Sequence, residues 1–225
     1  MNESAKIRAI ITGATGMVGE GVLHECLQSD EVESVLLLSR KHYTTAHSKV
    51  KEILHENFLD ISIIKDQLID YNACFFCLGV SSIGMKEADY TKLTHTLTMH
   101  VADTLCQLNP AMTFCYISGA RTDSSEKGRS MWARVKGKTE NDLIKLPFKQ
   151  VYNFRPGIIK PTKGLKNTLS LYKYLGWLFP VLNLFFSKNI CTLKEIGLAM
   201  IHAATKGYNK QILEVKDIIA LAGTR

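Results

Sequence analysis

The segment from Lys6 to Val22, KIRAIITGATGMVGEGV, runs an apolar strand straight into a glycine turn and then a helix. Few folds accept that order. Ile7 and Ala9 to Ile11 form a buried strand, Gly13, Gly16 and Gly19 follow at the spacing GxxGxxG, and a helix runs from Met17 to Leu27. Unpaired N–H groups at such a helix start, with the helix dipole behind them, attract a pyrophosphate. Gly13 allows the tight turn, Gly16 lets the backbone approach the phosphates, and Gly19 permits close packing of helix on strand. Thr15, Met17 and Val18 complete the expected cradle. A bare strand-to-helix turn also uses glycine, but the strand before and the helix after are the context a dinucleotide site requires.

Further apolar runs recur along the chain: SVLLLSR, a weaker EILHENF, ACFFCLG, TFCYISGA, QVYNFRPGII and QILEV. Helical stretches are expected between them at Met17–Leu27, Tyr43–Ile53, Ala88–Leu108, Ser130–Lys145 and Leu193–Lys206. This alternation predicts an α/β fold: a doubly wound, mostly parallel sheet of the Rossmann kind, with helices on both faces and a small C-terminal substrate-pocket region. Ligands bind such a sheet outside the carboxyl ends of its strands, which here are Gly13, Arg40, Asn57, Gly79, Ser118 and Pro156 with Gly157; Phe58 and Leu78 adjoin them. After the second strand, the acidic residue that would bond the ribose of NAD is absent, and Ser39, Arg40 and Lys41 stand there. Two cations beside a hydroxyl suit a 2'-phosphate, so NADP is expected, with NAD as the alternative.

At 225 residues, 46% apolar and 22% charged, the chain can bury one sizeable core, and residues 1–225 read as a single domain. The opening residues carry no apolar stretch beyond the first strand, which makes a cytoplasmic location the default expectation. Six cysteines lie mostly inside apolar patterns and read as packed thiols. Cys74 and Cys77 form a CxxC, but strand geometry turns them to opposite faces, so no metal site is expected.

Thr12–Gly19 (TGATGMVG), Cys77–Gly79 (CLG), Tyr116–Ala120 (YISGA), Trp132–Glu140 (WARVKGKTE) and Phe154–Ile159 (FRPGII) occur in the order found in the short-chain dehydrogenase/reductase superfamily. The chain resembles its atypical branch and is similar to the Tat-interacting-protein-like and epimerase/dehydratase-like NAD(P)-binding proteins. The resemblance covers most of the chain and is least specific over the last seventy residues. It implies a Ser, Tyr and Lys set, in which Tyr handles the substrate proton, Lys holds the nicotinamide ribose and lowers the tyrosine pKa, and Ser orients the substrate oxygen. Ser118 and Lys136 match, but the residue four before the lysine is Trp132. An indole N–H donates a hydrogen bond without titrating in the useful range. The resemblance thus implies Ser118, Lys136 and Trp132 as the reactive set, with Lys136 also contacting the cofactor.

From Leu143 to Lys194 there are nine Lys and Arg and no Asp or Glu, so this stretch carries +9 and the rest of the chain −2 of the net charge of +7. Residues 160–192 read as a basic, apolar substrate-side insertion, favouring an anionic small-molecule substrate. Within it, Leu175–Phe186 is too short to span a bilayer and serves a pocket, a homodimer contact or, as the lesser reading, a membrane surface. No nucleic-acid reading module is present, and nucleic acid is not an expected partner. Two functions remain open: an NADP(H)-dependent oxidoreductase acting on a small carbonyl or alcohol, and a cofactor-bound sensor or interaction protein that has lost the acid.

Overall fold

The computed structural model describes residues 6–44, 46–167 and 189–223. Its first strand, β1 (Ile7–Thr12), shows why the sheet takes a helical layer on each side. Ile7, Ala9 and Ile11 enter one apolar core and Ile10 enters the other. The same alternation runs through β2 (Val32–Ser39), where Val35 and Leu37 face one way and Leu36 and Leu38 the other. Strands apolar on both faces are buried on both faces, the condition of a parallel sheet.

Five more strands complete the main sheet: β3 (Val50–Leu54), β4 (Ala73–Phe76), β5 (Thr113–Ile117), β6 (Gln150–Arg155) and β9 (Ile212–Glu214). Their order is β3-β2-β1-β4-β5-β6-β9, and every neighbouring pair is parallel. The chain therefore winds outward from β1 to β3 and returns to β4 on the other side of β1. At that reversal the carboxyl ends of β1 and β4 open a crevice.

One face is covered by α1 (Met17–Gln28), α5 (Leu193–Thr205) and α6 (Val215–Ala222), which contribute Val22, Leu23, Ile196, Met200 and Ile218 to the first core. The other is covered by α3 (Leu97–Leu108) and α4 (Met131–Leu143), with Val101, Leu105 and Leu143 in the second core. Leu97 follows directly on α2 (Glu87–Thr91) and a π-helical turn at Lys92–Thr96. Two short strands, β7 (Ile158–Lys160) and β8 (Ile190–Thr192), form a separate parallel pair beyond the main sheet.

The helix expected at Tyr43–Ile53 is not formed. Its second half is the edge strand β3, which among the described residues pairs only with β2 and stays half-buried, so its residues carry neither a helical stripe nor a full strand core. The run QVYNFRPGII is two strands rather than one, broken between Arg155 and Ile158. The late QILEV does join the sheet, as β9 against β6. Leu175–Phe186 lies outside the described residues.

Candidate functional site

At the end of β1 the chain turns through Gly13, whose φ of +73° lies in the left-handed region. A Cβ there would also meet the backbone of Cys77 and Leu78 at 2.8 Å, so the turn packs directly on the end of β4. Gly19 serves the other contact: a Cβ on it would come within 2.2 Å of the Gly13 carbonyl oxygen. These two glycines let α1 start hard against the strand it follows. Gly16 is the N-cap of α1 and has no side chain to occupy the helix N-terminus, and both Gly16 and Thr15 are exposed. Met17 and Val18 are half-buried against the first core. The Leu78 N–H donates to Thr12 Oγ1 at 3.3 Å, tying the segment after β4 to β1, while Gly79 beyond it is exposed.

Beside this turn lies a recess of about 180 Å³ lined by Gly13, Thr15, Leu38, Ser39, Arg40, Lys41, Phe58 and Leu78. It brings together side chains from the ends of β1, β2, β3 and β4, and none of its lining residues is acidic. Ser39 is 5% exposed, and its Oγ is buried with no hydrogen-bond partner among the described residues. A buried hydroxyl without a partner costs free energy that a ligand can repay. Arg40 and Lys41 are exposed at the rim. Asn57 is not among the lining residues. Its Oδ1 accepts from the Leu59 N–H at 3.2 Å, so the side chain is spent on its own turn.

Across the crevice, Ser118 follows β5. It is buried, and its hydroxyl donates to the Phe154 carbonyl of β6 at 3.0 Å. Lys136 reaches the same strand end from α4, donating to the Ser118 carbonyl and, at 3.4 Å, to that of Ile117. Its ammonium lies 5.9 Å from the Tyr116 ring centre. Burial pushes the Lys136 pKa down to about 8, and the charge of Glu140, one turn further along α4, pulls partly against that. Trp132 stands one turn before Lys136, half-exposed and outside both apolar cores.

The Pro156 carbonyl accepts the Ala120 N–H at 2.8 Å, which joins the end of β6 to the segment after β5. At Gly157 the pressure comes from protein: a Cβ would lie 2.3 Å from the Asn189 carbonyl oxygen, before β8.

The fold has counterparts among solved structures. The Helicobacter pylori ADP-L-glycero-D-manno-heptose-6-epimerase superposes with a TM-score of 0.69 at 12% identity, over 100% of this chain and 84% of that one. The Bordetella bronchiseptica enzyme WbmF, solved in complex with NAD+, gives 0.67 at 13% identity over 98% and 77%. Glucuronic acid dehydrogenase of Chromohalobacter salexigens gives 0.67 at 14% identity over 92% and 76%. The chain shares the Rossmann-type α/β fold of these structures. No family model matches the chain. Among curated proteins it is 29% identical over 177 residues to the mitochondrial protein FMP52-1 of Scheffersomyces stipitis, covering 74% of this chain and 76% of that one. It is 25% identical over 225 residues to mitochondrial FMP52 of Candida albicans, covering 95% and 93%.

Those relatives correct one expectation. The cytoplasmic location, inferred by default from a sequence opening without an apolar stretch beyond its first strand, gives way to relatives named as mitochondrial.

Several residues around the site carry little signal of that role in the sequence. Leu38 joins the recess through its place near the end of β2. Glu140 and Arg155 form a buried ion pair beneath Lys136. Glu20, in the first turn of α1, carries a buried carboxylate. Its only signal in the sequence is an acidic side chain near a helix N-terminus, where the dipole favours it.

Proposed function

We propose that this protein is an NADP(H)-binding oxidoreductase of the atypical short-chain type, acting on a small anionic carbonyl or alcohol. The observation that carries the cofactor choice is the recess beside Gly13. An unpartnered buried hydroxyl on Ser39, flanked by Arg40 and Lys41 and by no carboxylate, fits a phosphate better than a bare ribose hydroxyl pair. A bound nicotinamide would supply hydride transfer. The chain's own contributions are then separable: Gly13, Thr15, Gly16, Met17, Val18 and Gly19 receive the pyrophosphate, Arg40 pairs with the 2'-phosphate, and Leu78 and Gly79 flank the ribose. Pro156 and Gly157 close the nicotinamide end. Lys136 holds a positive charge beside Ser118, and Trp132 shapes the mouth and can donate one hydrogen bond to a substrate oxygen. The relatives' names support a mitochondrial setting.

The test is titration with NADPH and with NADH, followed by tryptophan fluorescence. Tight NADPH binding and weak NADH binding are expected, with the response reduced in Trp132→Phe. Binding of neither dinucleotide would overturn the reading.

A second reading, a cofactor-bound sensor, is favoured by the commitment of the Ser118 hydroxyl to Phe154 and by the indole at position 132. It predicts the same NADPH binding with no reduction of any compound in a broad panel of aldehydes, ketones and keto acids.

A further inference from the structure

Glu20 is 2% exposed and sits in the first turn of α1, beside the place assigned to the cofactor's phosphates. Its oxygens are engaged with two distant segments. Oε1 accepts the main-chain N–H of Lys166 at 2.9 Å, and Oε2 accepts that of Asn167 at 2.7 Å. Tyr43 donates its hydroxyl to Oε1 at 3.4 Å. Tyr43 lies in the loop after β2 that carries Arg40 and Lys41. Glu52 of β3 steadies that loop from the other side, accepting the Tyr43 N–H at 2.8 Å and pairing with His42.

Lys166 and Asn167 belong to the basic stretch, where Lys163 and Lys166 are exposed. One buried carboxylate therefore touches the dinucleotide helix, the loop at the 2'-phosphate recess and the start of the substrate-side segment. The helix dipole and three donors make its charge tolerable out of water. Neither β-sheet pairing nor the cradle requires an acid at this position.

We propose that Glu20 is a positioning residue that couples cofactor binding to the placement of the basic segment. Through it, the Arg40 loop and the Lys163–Asn167 segment are fixed to the turn where the phosphates bind, so occupancy of that turn tightens the segment. By linkage, the clasped segment tightens the cofactor to the same degree. The coupling rests on the dinucleotide reading of the cradle and adds the residue that joins the cofactor side to the substrate side.

Amide hydrogen exchange at Lys166 and Asn167, measured with and without NADPH, tests this together with NADPH titration of the full chain. NADPH should slow exchange of both amides roughly ten-fold, and Glu20→Ala should abolish that protection and weaken NADPH by roughly ten-fold. Glu20→Gln keeps the shape and one acceptor and should recover part of both effects; it also carries the test if the alanine variant does not fold. Tyr43→Phe removes only the hydroxyl that reaches Glu20 and should leave the protection in place. If Glu20→Ala and Glu20→Gln bind NADPH like wild type, or if bound NADPH leaves the two amides unchanged, the coupling alone is wrong. A wild-type chain that binds neither dinucleotide overturns the cofactor reading, and the coupling falls with it.

Discussion

Arg155 grips Glu140 through two hydrogen bonds, Nε to Oε1 at 3.0 Å and Nη2 to Oε2 at 2.5 Å, with the glutamate wholly out of water. The same guanidinium reaches Glu214 Oε1 at 3.1 Å and Ser124 Oγ at 2.6 Å. One side chain at the end of β6 thereby joins α4, the end of β9 and the segment after β5. Removing one member of a buried pair leaves the other uncompensated, at a cost of about 3–5 kcal/mol. Arg155→Met should therefore lower thermal stability sharply. The double variant Arg155→Met with Glu140→Leu should recover much of the loss, because neither member of the pair is then left charged and unpaired; denaturant unfolding of the three proteins measures it.

Cofactor choice is open to a direct test at Arg40. Arg40→Ala should weaken NADPH by about ten-fold or more while leaving NADH within a factor of about two, since only the former carries the extra phosphate. Equal losses for both dinucleotides would place Arg40 elsewhere.

Lys136 gives a pH dependence whose sign can be worked out. Its pKa is about 8 in the folded chain against an ordinary value of 10.5. Between these values the unfolded chain binds the extra proton, so this group's contribution to stability rises with pH across that window. Below it, the buried ammonium is a burden on the folded state. The melting temperature of Lys136→Met relative to wild type should therefore be more favourable at pH 7 than at pH 10. A ligand contact that needs the ammonium should fade above about pH 8.

Asp142 gives the opposite trend. Burial acts to raise its pKa, but hydrogen bonds from Lys145, His95 and Lys138 outweigh it and hold the carboxyl well below the ordinary range. Such a group stabilises the fold above its unfolded pKa and loses that effect as pH falls through and below it. Asp142→Asn should lower the melting temperature at pH 7, and the difference should shrink steadily below about pH 4.

Gly19 offers the most local check on the cradle. A Cβ 2.2 Å from the Gly13 carbonyl cannot be accommodated unless α1 moves off β1. Gly19→Ala should abolish dinucleotide binding and lower stability, read by titration and by thermal unfolding.

The elements legible in the sequence are those whose signal is local. IRAIIT and ACFF are strands because their apolar residues supply both faces of the sheet, and the glycines mark the turn because backbone contacts at Gly13 and Gly19 leave no room for a Cβ. The edge strand Val50–Leu54 gives a weak strand signal because one-sided pairing leaves it neither alternating nor uniformly apolar. The π-helical turn at Lys92–Thr96 has no composition of its own. Asn57 looked like a site residue by its place after a strand, but its side chain closes a turn. The Glu20 clasp spans 146 residues to Lys166, and no periodicity carries information over that separation.

Cys26 lies on one side of the sheet, Cys74 on the other, and Cys115 beside Cys26, each fully shielded from solvent, with burial pushing its thiol well above the ordinary range. An alkylating reagent attacks thiolate and must first reach it. These three sulfurs therefore act as a covalent clock for opening of the two layers. Their labelling rate reports how often each side of the molecule comes apart, and any ligand that binds the folded state should slow it.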